Sequence, residues 1–148
     1  MISIFLTNDI NFLAIIIAAV TAFILGGLWY SQYLFGKKFM QLTGMNSSVL
    51  NTEEKAAGKK RANRAMGITF IALLVTAFAL ERIQYYLIRP RLCFSIGVAI
   101  FFWLAFAAAT NISEYLYVTK PRPWLLFVLN QAYVLTSFIL MTLVIFFI

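Results

Sequence analysis

The residues of this chain best suited to chemistry are amides, hydroxyls and one carboxylate that interrupt long apolar stretches. Asn130 and Tyr133 are three residues apart, a spacing that places two side chains on one face of a helix. Asn111 and Glu114 repeat that spacing earlier in the chain. Such groups bind a polar solute, or one another, because burying them without a partner costs free energy. The predicted candidate polar cluster comprises Tyr30, Ser31, Asn111, Glu114, Asn130 and Tyr133.

Two interpretations of this candidate polar cluster are open. In the first, its side chains form hydrogen bonds between helices that fix the packing, each contributing about 0.6 kcal/mol on average in a membrane. In the second, they line a solvated cavity or a substrate path. Both require helices that bring these residues to one level of the fold.

Catalytic and metal-binding patterns are missing from the sequence. The chain has no histidine and a single cysteine, Cys93, so it lacks the usual haem and zinc ligands and the Ser–His and Cys–His nucleophile pairs. It also lacks a glycine loop for phosphates. Glu81 and Glu114 are predicted to lie toward opposite faces of a membrane, so they cannot form a paired-carboxylate site. We expect no enzyme, no bound metal and no cofactor.

The composition predicts that helices in a membrane position these groups. The chain of 148 residues is 63% hydrophobic and 11% charged, and a soluble fold of this size could not bury so much apolar surface. Charged residues are absent from the stretches 10–36, 67–80, 92–113 and 123–148, and a membrane-spanning helix needs about 20 apolar residues. We predict an all-α integral membrane protein, a single domain over 1–148, with helices at about 9–35, 65–88, 92–117 and 123–147 in an up-down bundle.

The basic residues predict the orientation of that bundle. Seven of the twelve lie between helices one and two, and Lys120 and Arg122 lie between helices three and four. The remaining three, Arg82, Arg89 and Arg91, lie on the opposite side. The positive-inside rule therefore places the first and third connections in the cytoplasm and both termini outside.

The first connection is predicted to carry a basic helical extension that begins at Thr52 as an N-cap and continues into helix two. Its cations should contact anionic lipid headgroups, at about 1 kcal/mol each near the surface. Nucleic-acid binding is not expected, because this stretch lacks interleaved aromatic residues. The predicted headgroup contacts are Lys37, Lys38, Lys55, Lys59, Lys60, Arg61 and Arg64.

Helix one, predicted to start near Asn8 or Asp9, carries small residues at every fourth position. Such a stripe allows another helix to pack closely, within one chain or between two copies; a groove for a ligand is the alternative. The helix-packing stripe consists of Ala14, Ala18, Ala22 and Gly26.

Residues 10–44 carry two recognisable motifs. The motif residues are Asn11, Leu13, Ala14, Gly26, Leu28, Trp29, Tyr30, Ser31, Phe35, Gly36 and Lys37. They resemble an Asn-Trp-Leu-Ala start and a Gly-x-Leu-Trp-Tyr-Ser-Pro-x-x-Phe-Gly-Lys segment that are typical of an uncharacterised membrane family, domain of unknown function family 1761. Phe12 and Gln32 depart from the family's usual Trp and Pro.

The later part of the chain is similar to the same family through "WLAFAAAT", Arg122-Pro123-Trp124 and the pair Asn130 and Tyr133. The acidic residue expected beside Arg122 is absent here. The resemblance implies a small four-helix bacterial membrane protein, and it implies no particular activity.

The sequence favours solute binding or transport over catalysis. A single four-helix bundle has little room for a solute pathway of its own. We therefore expect a homo-oligomer in the bacterial inner membrane, with the solute pathway at a subunit interface. The alternative is a structural or accessory subunit that has a membrane protein partner and uses the same polar groups for packing.

Overall fold

The computed structural model describes residues 10–43, 52–87, 91–117 and 123–148. These residues form helices and include no strand, which confirms the all-helical prediction for the described part of the chain. The elements in chain order are α1 (Phe12–Trp29), α2 (Gly36–Thr43), α3 (Thr52–Leu87), α4 (Leu92–Phe102), a π-helical segment (Trp103–Ala108), α5 (Ala109–Leu116) and α6 (Trp124–Phe147).

Within the described residues, four stretches of helix are long and apolar enough to cross a membrane, as the sequence predicts: Phe12–Trp29, Gly58–Tyr86, Leu92–Ser113 and Trp124–Phe147. At most 28% of each of these stretches is buried inside the chain. Most of their apolar side chains therefore face outward rather than into a core of the protein's own.

The N-terminal end of α1 differs from the prediction. Asn11 is the N-cap residue, and its side-chain oxygen accepts a hydrogen bond from the backbone N–H of Ala14 at 3.0 Å. Asn11 thereby satisfies one of the free N–H groups of the first turn. The predicted starts at Asn8 and Asp9 lie outside the described residues.

The first helix also ends earlier than the predicted Phe35. After Trp29 the chain makes a compact turn, in which the backbone N–H of Phe35 donates to the carbonyl of Trp29 at 3.0 Å. The N–H of Gly36 donates to the carbonyl of Ser31 at 2.8 Å. A Cβ atom on Gly36 would lie 2.4 Å from the carbonyl oxygen of Tyr30. The turn therefore requires glycine, and it redirects the chain into α2.

The core is formed where α1 packs against α3 and α6. Ala14, Ala18 and Ala22 of the helix-packing stripe are fully buried, as are Ala77 of α3 and Met141 of α6. Ala18, Ala22, Ala77 and Met141 belong to one contact cluster. Small side chains on α1 thus allow close approach of two neighbouring helices within the chain.

α1 and α3 run in opposite directions. At the start of α1, the backbone N–H of Asn11 lies 3.4 Å from a carboxylate oxygen of Glu81, late in α3. Near the end of α1, Phe23 packs edge-on against Phe70, with ring centroids 5.4 Å apart. The chain between α4 and α5 is widened into the π-helical segment, and α4 contacts α6 through its buried face, which includes Ser95.

Candidate functional site

The end of α1 and the start of α6 are joined by one hydrogen bond between side chains. Tyr30, the C-cap residue of α1, donates its hydroxyl to Oδ1 of Asn130 at 3.0 Å. The ring of Tyr30 packs edge-on against Tyr133, one turn along α6, with centroids 5.4 Å apart. Its other neighbour is Phe39 of α2, at 5.0 Å. Three members of the candidate polar cluster, Tyr30, Asn130 and Tyr133, therefore meet.

Gly26 of the helix-packing stripe lies directly against this group. A Cβ atom at Gly26 would be 2.8 Å from the hydroxyl oxygen of Tyr133 and 3.2 Å from the carbon that carries it. The neighbouring Gly27 has no atom within 4 Å of the same position. The absence of a side chain at Gly26 is thus what allows Tyr133 to lie flat against α1.

A polar cavity of about 230 Å³ lies between α5 and α6. Three amide side chains border it: Asn111 from α5, and Asn130 and Gln131 from α6. Its other walls are Tyr115, Leu126, Phe127 and Val134. None of these lining residues is charged, so the polar cavity offers hydrogen bonds beside aromatic and aliphatic surface.

Gln131 is the unusual member of the polar cavity. Its side chain is only 6% exposed, and Oε1 has no hydrogen-bond partner. A buried acceptor left unpaired costs about 1–3 kcal/mol, and native structures contain few of them. Oε1 is itself buried, so Gln131 borders the polar cavity through its other atoms.

A second space, the apolar groove, lies on the other side of the Tyr30–Asn130 hydrogen bond. Its volume is about 580 Å³, and α1, α3 and α6 form its walls. The lining residues are Phe23, Gly26, Gly27, Tyr30, Met66, Thr69 and Tyr133. Gly27, Met66 and Thr69 are exposed, so the apolar groove is open at the surface.

The remaining predicted site residues lie elsewhere. Ser31 donates its hydroxyl to the carbonyl of Leu28 at 2.6 Å, so it closes its own turn rather than joining the cluster. Glu114 lies in α5, and its side chain is outside the described part of the structure, as is that of Lys55 in α3. The other predicted headgroup contacts have exposed side chains: Lys37, Lys38, Lys59, Lys60, Arg61 and Arg64.

The sequence patterns did not predict a buried ion pair late in α3, at the end of that helix away from the apolar groove. Glu81 and Arg82 are 5% and 2% exposed, and they form a two-pronged ion pair with N···O distances of 2.5 and 2.7 Å. The guanidinium also lies over the rings of Tyr85 and Tyr86, 5.0 and 5.8 Å from their centroids. Adjacent opposite charges followed by two tyrosines were the available signal for this paired arrangement.

Gln131 was also left out of the candidate polar cluster, because it lies one residue off the face shared by Asn130 and Tyr133. Among the described residues, no group of three or more His, Cys, Asp or Glu side chains could hold a metal ion. The polar cavity and the apolar groove are two spaces in which the described residues could bind a ligand.

The model of one protein family, described as Protein of unknown function (DUF1761), matches residues 13–146. The match covers most of the chain, so the chain belongs to this family, as the resemblance in its first motif indicates. No curated protein and no solved structure matches the chain.

Proposed function

We propose that this member of the DUF1761 family is an integral membrane protein that binds a small uncharged polar solute in the polar cavity. In this proposal its four long helices cross the bacterial inner membrane as an up-down bundle, and a homo-oligomer passes the solute across. The protein performs no catalysis on it. The observation that carries the proposal is the set of three amide side chains, Asn111, Asn130 and Gln131, that border the polar cavity.

Membrane insertion is supported by the outward apolar side chains of the four long helices. The rod formed by α4, the π-helical segment and α5 is the least enclosed of the four long helices, because only 11% of this stretch is buried inside the chain. Exposing its apolar surface to water would cost about 25 cal/mol per Å². Contact with lipid removes that cost. The excess of basic residues in the first and third connections supports a cytoplasmic location for them.

The size and chemistry of the polar cavity indicate the class of solute. At about 230 Å³ it lies below the roughly 300–1,000 Å³ of pockets for drug-sized ligands, and far above the 10–15 Å³ that one water needs. The described lining residues are uncharged and favour a neutral molecule, since an ion would lose hydration without a countercharge. The amides of Asn111, Asn130 and Gln131 suit a molecule that forms hydrogen bonds.

The outward face of the rod formed by α4, the π-helical segment and α5 supports an assembly of several copies. Phe94, Phe101 and Leu104 are large, apolar and exposed there at spacings of seven and three residues, and they offer a surface for a second copy. The same surface favours the alternative function, an accessory subunit bound to a different membrane protein. Native mass spectrometry in mild detergent separates the two: a homo-oligomer supports the first, and a stoichiometric foreign subunit supports the second.

The proposed function is tested by replacing Gln131 with Met, which keeps the length of the side chain and removes the acceptor. We expect urea and glycerol to enter proteoliposomes faster than empty vesicles in stopped-flow light scattering, and Gln131→Met to return that rate toward the empty-vesicle value. The same variant should be more stable to unfolding by about 1–3 kcal/mol, because a buried unpaired group is removed.

Thr136→Val is the matched control on α6. Its hydroxyl donates to the carbonyl of Ala132 at 2.7 Å, within the same helix and away from the polar cavity, so solute entry should not change. Solute entry that is equal for Gln131→Met and the unaltered protein would remove Gln131 from the site. Entry no faster than in empty vesicles would overturn transport itself.

A further inference from the structure

The apolar groove lies where the basic part of α3 meets its apolar part. Met66 and Thr69 of the groove follow directly after Arg61 and Arg64 along the helix. The opposite wall comes from the last turns of α1, at Gly26 and Gly27. In the proposed bundle this is the cytoplasmic boundary of the membrane, where a lipid headgroup passes into its acyl chains.

Among the cations of α3 whose side chains are described, Lys59 is aligned with the apolar groove. Lys59 is seven residues before Met66, so the two share one face of α3, about 10 Å apart along the axis at roughly 1.5 Å per residue. Lys60, the next residue, is turned by about 100° and lies off that face. Both side chains are exposed. No Asp or Glu occurs between Gly58 and Leu80, so no carboxylate in that stretch offsets the positive charge.

We propose that the apolar groove is a binding site for one anionic phospholipid, with an acyl chain between α1 and α3 and the phosphate at Lys59. The charge of the basic segment complements the phosphate, and the apolar walls beneath it match the chain. The proposal rests on membrane insertion, and it does not depend on solute binding in the polar cavity.

The site is tested by lipid binding to the full chain, purified in mild detergent. Phosphatidylglycerol and phosphatidylcholine with identical acyl chains are titrated, and bound lipid is counted by native mass spectrometry. We expect one phosphatidylglycerol per chain to bind in preference to phosphatidylcholine. Lys59→Ala should weaken that binding about fivefold, the equivalent of one cation near a lipid surface. Lys60→Ala is the matched control and should leave it within a factor of two.

The apolar groove itself is tested by filling it. A Cβ atom on Gly27 has no atom within 4 Å, so Gly27→Leu should fold and place its side chain in the space that the acyl chain needs. Gly97→Leu is the matched control, since Gly97 is equally exposed and also has nothing within 4 Å. We expect Gly27→Leu to abolish the preferential binding and Gly97→Leu to preserve it, with unchanged circular dichroism for both.

Two outcomes would overturn the site. Equal losses for Lys59→Ala and Lys60→Ala would show general attraction between cations and lipid rather than a site. Equal binding by Gly27→Leu and Gly97→Leu would show that the groove holds no lipid. Flotation with vesicles tests membrane insertion separately, and solute entry tests the proposed function of the polar cavity. A negative result in either assay can therefore be told apart from the loss of lipid binding in the apolar groove.

Discussion

The two ends of α1 use polar residues in different ways. At its start, two buried charged groups are paired, Glu81 with Arg82, beside the backbone N–H of Asn11. Nε2 of Gln84, three residues after Glu81 in α3, is buried without a partner. At its far end, the polar groups are neutral and lie around two open spaces, and the acceptor of Gln131 has no partner. A paired buried group stabilises the fold it belongs to, whereas an unpaired one beside a cavity is kept at a cost to stability.

The ion pair at one end and the two open spaces at the other assign separate roles to the two ends. The end at Glu81 and Arg82 fixes how α1 meets α3, and the end at Tyr30 and Asn130 leaves room for a ligand. Proteins commonly give up stability where they bind. Substitutions at the two ends should therefore differ in size and, at Gln131, in sign.

The largest effect is expected at the ion pair. Arg82→Leu leaves the carboxylate of Glu81 buried without its partner, and breaking a buried pair in this way costs about 3–5 kcal/mol. The double variant Glu81→Leu/Arg82→Leu removes both charges and should recover most of that loss. Unfolding in mixed micelles with increasing denaturing detergent measures each change.

Arg61→Ala is the control for loss of a cation, because Arg61 is exposed on α3 and should change stability by less than about 0.5 kcal/mol. If Arg82→Leu were as mild as Arg61→Ala, the ion pair would contribute nothing and the contrast between the two ends would disappear.

A smaller effect is expected where Gly26 meets Tyr133. Gly26→Ala places a methyl group 2.8 Å from the hydroxyl of Tyr133, and such overpacking costs about 1–3 kcal/mol. Tyr133→Phe removes the nearest atom and should lower the cost of the alanine. The double-mutant cycle should give a coupling energy of about 0.5–3 kcal/mol in the same unfolding measurement.

Gly27→Ala is the control for the added methyl group, because nothing lies within 4 Å of its Cβ. Additive effects of Gly26→Ala and Tyr133→Phe would show that the close approach in the structure is not retained in the membrane. The helices at the Tyr30 and Asn130 end of α1 would then pack less closely than they do in the structure.

Sequence patterns predicted the long apolar helices well, because membrane-spanning length and lack of charge are local properties. They failed at the end of α1, where an aromatic stretch predicted helix to Phe35 and the chain turns after Trp29. That turn depends on backbone contact between Gly36 and the carbonyls of Tyr30 and Ser31, and no periodicity reveals it.

The candidate site shows the same limit. Helical spacing grouped Asn130 with Tyr133, and the structure joins both to Tyr30. Ser31 was predicted from its level at the end of helix one, and it instead bonds within its own turn. Spacing also passed over Gln131, which borders a cavity formed with another helix. Which polar groups remain unpaired is a property of the packed structure.

The smallest effect, and the finest test of the contrast, is expected for Tyr30→Phe. This change removes the hydroxyl that donates to Asn130, one neutral hydrogen bond worth about 0.6 kcal/mol in a membrane protein. Tyr33→Phe is the matched control, because Tyr33 is 97% exposed, and it should have no effect on unfolding. The removal of one hydroxyl from this end should thus cost several times less than the removal of one charge from the other. A loss above about 3 kcal/mol for Tyr30→Phe would place both ends in the same structural role, because the hydrogen bond would then hold the bundle together as firmly as the ion pair does.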